Sequence, residues 1–170
     1  MSTHTSCTSR LGFTLVEMLV YISIFVLIVT SSVGFLFSLD RLFDSYRAET
    51  LLYRTSSQVF ELATLSIRQA DEFDSFASIQ FSTSTGRMAV VNTATSTSIA
   101  KVGDTLMLMV NGSSYGNLLP PEVVVDEFLV INYPQAVGDI VRLELELTAT
   151  VGDTIRNERF YMSNTVRGAN

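Results

Sequence analysis

Apolar residues crowd the front of this chain. No charged residue occurs between Glu17 and Asp40, and residues 18–39 read MLVYISIFVLIVTSSVGFLFSL. With residues 13–16 added, the apolar run is interrupted only by Glu17. As a helix rising 1.5 Å per residue it spans roughly 40 Å, against a hydrocarbon core of about 30 Å. The pattern therefore predicts a helix able to cross a bilayer. The run exceeds the apolar stretch of about 7–15 residues in an ordinary secretory signal. Asp40-Arg41-Leu42-Phe43-Asp44 follows it directly, with no small-x-small cleavage site. Cys7 lies before the run, whereas a lipidated cysteine would lie after it.

Beyond Asp40 the pattern changes to that of an amphipathic helix. Leu39, Tyr46, Tyr53, Phe60 and Ile67 recur every seventh residue, and Leu42, Leu52, Val59 and Ala63 widen the stripe. This spacing predicts a continuing helix to about Ala70, packed through that stripe on a sheet. The small polar Thr50, Ser57 and Thr64 between the stripe positions do not suit a strict coiled coil. Gly34 replaces the helix interior's usual residue types at a cost of about 1 kcal/mol relative to alanine, which makes it a point of helix flexibility.

After Asp74 the period shortens. Residues 79–81 and 88–91 flank Ser82-Thr83-Ser84-Thr85-Gly86 and predict a hairpin. Residues 106–110 and 123–133 predict further strands. Residues 141–151 alternate strictly, apolar at odd positions and polar at even ones, so one face is buried and the other wet. Residues 156–166 can pair back across Gly152-Asp153. Val-Gly-Asp ends at Asp104, Asp139 and Asp153, which reads as three turns rather than a repeat. The Ser/Thr-rich residues 92–98 and the segment 113–121, with Pro120-Pro121, read as loops and as candidate partner-binding surfaces.

Composition narrows the function. Among 170 residues, Lys plus Arg is 11 and Asp plus Glu is 17, a net charge of −6. Such an acidic chain lacks the basic surface that nucleic-acid binding requires. One Cys and one His, both in the first ten residues, leave no basis for a disulfide framework, a Cys/His zinc site or a His-based triad. No phosphate loop or dinucleotide fingerprint occurs. Asp71, Glu72 and Asp74, and the pair Asp126-Glu127, allow a cation site or carboxylate dyad on one reading and solvated acidic surface on the other. The first group lacks calcium-loop spacing, and solvated surface is the expectation for both. Asn111-Gly112-Ser113 fits a glycosylation sequon, but Asn-Gly also makes a tight turn, and the turn is the expectation. No enzyme is indicated, and no cofactor or metal is expected.

The beginning of the chain is more specific. A polar leader ends Arg10-Leu11-Gly12, and Phe13-Thr14-Leu15-Val16-Glu17 opens the apolar helix. Glycine offers a protease an unhindered, flexible backbone. Glu17 costs roughly 2.5–3.5 kcal/mol if ionised within a bilayer, unless it snorkels as an interfacial charge. This start closely resembles the prepilin signal of type IV pilins and type II secretion pseudopilins. The resemblance implies cleavage between Gly12 and Phe13 by prepilin peptidase, methylation of Phe13, and pairing of Glu17 with the N-terminus of a neighbouring subunit during assembly.

The resemblance also implies a pilin-like α+β fold. Its parts are a leader over 1–12, a transmembrane and filament-core helix over 13–39, its amphipathic continuation over 40–75, and an extracytoplasmic β-rich head over 76–170 on an antiparallel sheet. The implied partners are prepilin peptidase, other pilin or pseudopilin subunits, the inner-membrane assembly platform and the lipid bilayer. The implied location is the bacterial inner membrane, then the filament. The strand-rich tail, its Thr165-Val166-Arg167-Gly168 ending and the lack of a C-terminal cysteine pair resemble minor subunits. One signal runs the other way. Arg41, Arg47 and Arg54 behind the helix outnumber Arg10 and the α-amino group in front, against the orientation implied. A membrane-anchored binding module that never polymerises is the alternative.

Overall fold

The computed structural model describes residues 14–82, 84–135 and 138–166. Gly12 and Phe13, together with His4 and Cys7, lie outside the described residues. The chain divides into two compact units, Met1–Asp40 and Arg41–Asn170. Within the first, the described residues are the opening part of one helix, α1 (Leu15–Gln69). Its large side chains, from Leu15 to Phe37, are all exposed, and its apolar window meets the length and composition of a membrane span. The hydroxyls of Ser23, Thr30, Ser32 and Ser38 donate to the carbonyls of Leu19, Val26, Ile28 and Gly34, one turn back. Their polarity is thus satisfied inside the helix, as hydrocarbon requires. The helix runs through Gly34 without interruption.

The second unit is α+β. Among the described residues its strands form two antiparallel sheets, where the resemblance implied one. The first joins β1 (Glu72–Phe73), β2 (Arg87–Asn92), β3 (Thr95–Val102), β4 (Thr105–Val110) and β5 (Ser113–Asn117) in sequence order. The second joins β6 (Val123–Tyr133), β7 (Ile140–Val151) and β8 (Thr154–Thr165). The alternation of β7 is fully realised: Val141, Leu143, Leu145, Leu147 and Ala149 are all completely buried, and β8 pairs with β7 from Val151↔Thr154 to Ile140↔Thr165.

Four local expectations are corrected. Residues 79–81 do not form a hairpin arm; Ile79 makes a single bridge to Arg87, and the Phe81 amide donates to the Val130 carbonyl. β2 pairs instead with β3, so residues 95–98 of the supposed Ser/Thr loop are strand. Hydroxyl side chains suit a half-exposed strand as well as a loop. Residues 113–117 are likewise strand, paired with β4 across a turn at Asn111-Gly112. Both turn residues have positive φ, as a type I′ hairpin turn requires.

The fourth correction concerns the helix face. The buried positions of α1 are Ala48, Leu52, Thr55, Ser56, Val59, Ala63 and Ile67. Tyr46 and Tyr53, expected in the core, are exposed, and so is Leu42. Small residues at 48, 55, 56 and 63 share the buried face with Leu52, Val59 and Ile67, and of these Leu52, Val59, Ala63 and Ile67 are the part of the expected stripe that the core does use. Tyr53 sits at the margin, its ring edge-on to Phe160 with centroids 5.5 Å apart, and its hydroxyl donates to Glu158 at 2.8 Å. That hydrogen bond, with the adjacent carboxylate charge, raises the Tyr53 pKa above its ordinary value.

The helix face, β2–β4 and the inner face of β6–β8 share one core, which contains Leu52, Val59, Met88, Ile99, Leu106, Phe128 and Leu145. Each fully buried large apolar side chain contributes about 1.5–3 kcal/mol. A chain beginning at Arg41 is therefore expected to fold without the apolar segment and to unfold in one cooperative transition by circular dichroism. A gradual, featureless melt would contradict this.

Candidate functional site

The candidate site is the start of α1, where leader, processing residues and glutamate meet in sequence. Thr14 caps the helix. Its hydroxyl and carbonyl accept from the Glu17 amide at 3.3 and 3.0 Å, and the carbonyl also accepts from Met18 at 3.2 Å. Thr14-Leu15-Val16-Glu17 has the Ser/Thr-x-x-Glu spacing of a capping box. The sequence reading missed this role for Thr14, although the spacing alone could have revealed it. Two consequences follow. The helix has a defined beginning directly after Phe13, and Glu17 lies in the first turn, where the positive end of the helix dipole favours a carboxylate. Leu15, Val16 and Met18 around it are exposed.

The acidic groups elsewhere do structural work. Asp71 Oδ2 accepts from the amide and hydroxyl of Thr93 at 2.8 and 2.7 Å, holding the β2–β3 turn. Asp74 Oδ1 accepts from the amides of Phe76 and Ala77, and Glu72 is an exposed residue of β1. A register shift between Val125 and Glu127 turns both Asp126 and Glu127 outward, as a bulge allows. Asp126 then accepts from Thr148 and Asn157, and Glu127 pairs with Arg159 at 2.7 Å. Arg159 also pairs with Glu146, and its hydrogen bond holds that carboxyl below the usual range. These contacts tie β6, β7 and β8 together on their wet face. No group of three or more potential metal ligands occurs among the described residues.

With the geometry in place, comparison with known proteins bears on the N-terminal site. Residues 7–33 match the sequence model of the prokaryotic N-terminal methylation motif. The chain therefore carries a type IV pilin-like prepilin signal, and its long helix followed by antiparallel sheets is a pilin-like architecture. Such a signal implies processing by prepilin peptidase and assembly with other pilin subunits, and with the apolar helix it is consistent with inner-membrane anchoring. No curated protein and no solved structure matches the chain.

Proposed function

We propose that this chain is a prepilin that matures into a structural subunit, of the minor class, in a type IV pilus or type II secretion pseudopilus. The observation that carries the reading is the methylation motif over residues 7–33, which encloses Gly12, Phe13 and Glu17. In this reading the precursor inserts in the inner membrane with its β-rich head outside the cytoplasm. Prepilin peptidase cuts between Gly12 and Phe13 and methylates Phe13. The assembly platform then moves the mature chain into a filament. The protein acts by packing, not catalysis.

The physical logic runs through Glu17. Methylation leaves the Phe13 amine positively charged. A carboxylate in a water-poor helix bundle is strongly unfavourable unless paired, and the neighbour's Phe13 amine is the matching cation. Pairing fixes the axial register of adjacent helices, while the apolar faces around it supply the area. A simple membrane anchor has no use for this arrangement. The test is the N-terminal peptide of the membrane-extracted protein, which begins at methylated Phe13 for a processed subunit and near Met1 for a plain anchor.

A further inference from the structure

The head covers the edges of its sheets unequally. β1 has two residues, and β5 has five with a register shift in its pairing to β4. Short or irregular edge strands resist further pairing. The edge of β6 is covered. The amides of Val123 and Val125 donate to the carbonyls of Pro120 and Asp104, the Val130 carbonyl accepts from Phe81, and the Asn132 amide donates to Gln80 Oε1. β8 differs: it runs for 12 residues, pairs with β7 without a register shift, and contains no Pro or Gly. The Val166 amide donates to the Asp139 carbonyl in the same register, so the even-numbered residues of β8 aim their backbone groups at β7. Ile155, Asn157, Arg159, Tyr161 and Ser163 aim theirs away, and among the described residues no hydrogen bond reaches those backbone groups. Thr165 ends the row, its amide donating to the Asn164 side chain at 3.0 Å. Arg156, Glu158 and Arg159 charge the first half of the row, which discourages pairing there. Residues 160–165, Phe-Tyr-Met-Ser-Asn-Thr, carry no charge, as in segments that readily accept another strand.

We propose that the edge of β8 at residues 160–164 accepts an extended strand from the head of a different prepilin-processed subunit. The proposal rests on the filament reading above. In such strand addition the main chain supplies the hydrogen bonds and alternate side chains supply the selectivity. The incoming strand bonds to the free backbone groups of Tyr161 and Ser163. Its apolar side chains lie beside Phe160 and Met162, which are only partly buried at the margin of the core. A second copy of this chain does not fit the edge. α1 and β8 run the same way, since Ser45, Tyr53 and Thr64 meet Arg156, Glu158 and Met162 in that order. The chain enters each head at Arg41, so copies anchored in one membrane are entered from the same side. Antiparallel pairing of β8 with β8 enters the second head from the opposite side. A parallel two-fold pair sets amide against amide and carbonyl against carbonyl. The β5 and β6 edges of a second copy are blunted or covered as described. The strand therefore comes from a chain of different sequence.

The test is amide hydrogen exchange on the full-length chain, extracted from membranes alone and in complex with its co-expressed pilin-like subunits. The Tyr161 and Ser163 amides exchange fast in the chain alone and slow by more than about tenfold in the complex, because pairing protects them. The Ile155 amide stays fast in both. No slowing in the complex would overturn strand addition. Slowing in the chain alone as its concentration rises would assign the edge to a second copy and overturn the stated partner. A second arm uses Ser163→Pro, which removes an outward amide that β7 does not use, the setting in which an edge strand tolerates proline. The variant should be processed normally and keep the head's unfolding transition, yet co-isolate with other subunits several-fold less. Ile155→Pro, in the charged half of the row, should co-isolate as wild type does. If Ser163→Pro loses the transition, Ser163→Lys serves in its place, since an edge lysine repels an added strand. If processed wild type and the position 163 variant co-isolate equally, strand addition alone is wrong. If wild type retains its leader, the filament reading fails and the proposal fails with it.

Discussion

Gly86→Ala is expected to destabilise the head strongly. An ideal Cβ at this position would stand 1.7 Å from the carbonyl oxygen of Phe128 and 2.8 Å from its carbon, with the Ser82 carbonyl oxygen at 3.1 Å. These are backbone atoms, so no rotamer change relieves the collision. Gly86 leads into β2, and its carbonyl accepts from Lys101 of β3 at 2.9 Å, whereas Phe128 is a fully buried residue of β6. The glycine therefore marks the close approach of the two sheets, and an added methyl must part them. Overpacking of this kind costs about 1–3 kcal/mol and occasionally more. The upper end is expected, which lowers the melting temperature by roughly 10 °C for a domain of this size. Gly103→Ala is the comparison. Gly103 has a positive φ but open space around it. Alanine there strains only the backbone, since the left-handed conformation costs an L-residue roughly 1–2 kcal/mol. Equal shifts for the two variants in thermal melts of the Arg41–Asn170 unit would contradict the close approach.

Glu17→Val is expected to abolish assembly while sparing everything before it. The Thr14 cap survives, because Thr14 accepts from the Glu17 backbone amide and not from its carboxylate. The change removes a favourable carboxylate–dipole term of about 0.3–1 kcal/mol, but it also removes the larger cost of an ionised group in the bilayer, roughly 2.5–3.5 kcal/mol. Membrane insertion should improve slightly. Assembly loses the partner for each neighbouring Phe13 amine. Leaving one charge of a buried pair unpaired costs about 3–5 kcal/mol, and each 1.4 kcal/mol is about tenfold in association. Co-isolation with partner subunits, at matched membrane levels, should therefore fall by more than about a hundredfold. Thr14→Ala serves as the control for helix fraying. Undiminished co-isolation of the Glu17 variant would leave its carboxylate as an interfacial charge only.

The parts of this protein legible in its sequence are those where one physical demand dominates. The span is set by hydrophobicity alone. β7 alternates because one face is fully buried and the other wet, and its pairing with β8 follows from a turn at Gly152-Asp153 where Gly152 has positive φ. The misread parts are those where two demands compete. The aromatic heptad of Tyr46 and Tyr53 looked like core because large rings usually are buried. The helix instead packs through Leu52, Val59, Ala63 and Ile67 of the same stripe together with Ala48, Thr55 and Ser56, whose small or polar side chains give little hydropathy signal. β3 and β5 were hidden because Ser and Thr serve strands and loops equally, so only pairing partners decide. In the N-terminal site the spacing of Gly12, Phe13 and Glu17 was plain, yet the cap at Thr14 went unnoticed within the same motif.

The mass of the N-terminal peptide, taken from the protein extracted from membranes that contain active prepilin peptidase, tests the central claim most directly. The account predicts a peptide that begins at Phe13, carries one added methyl group on its amine, and is lost in favour of the unprocessed form when the peptidase is inactivated. A protein that begins at Met1 or Ser2 whether or not the peptidase is active would contradict it.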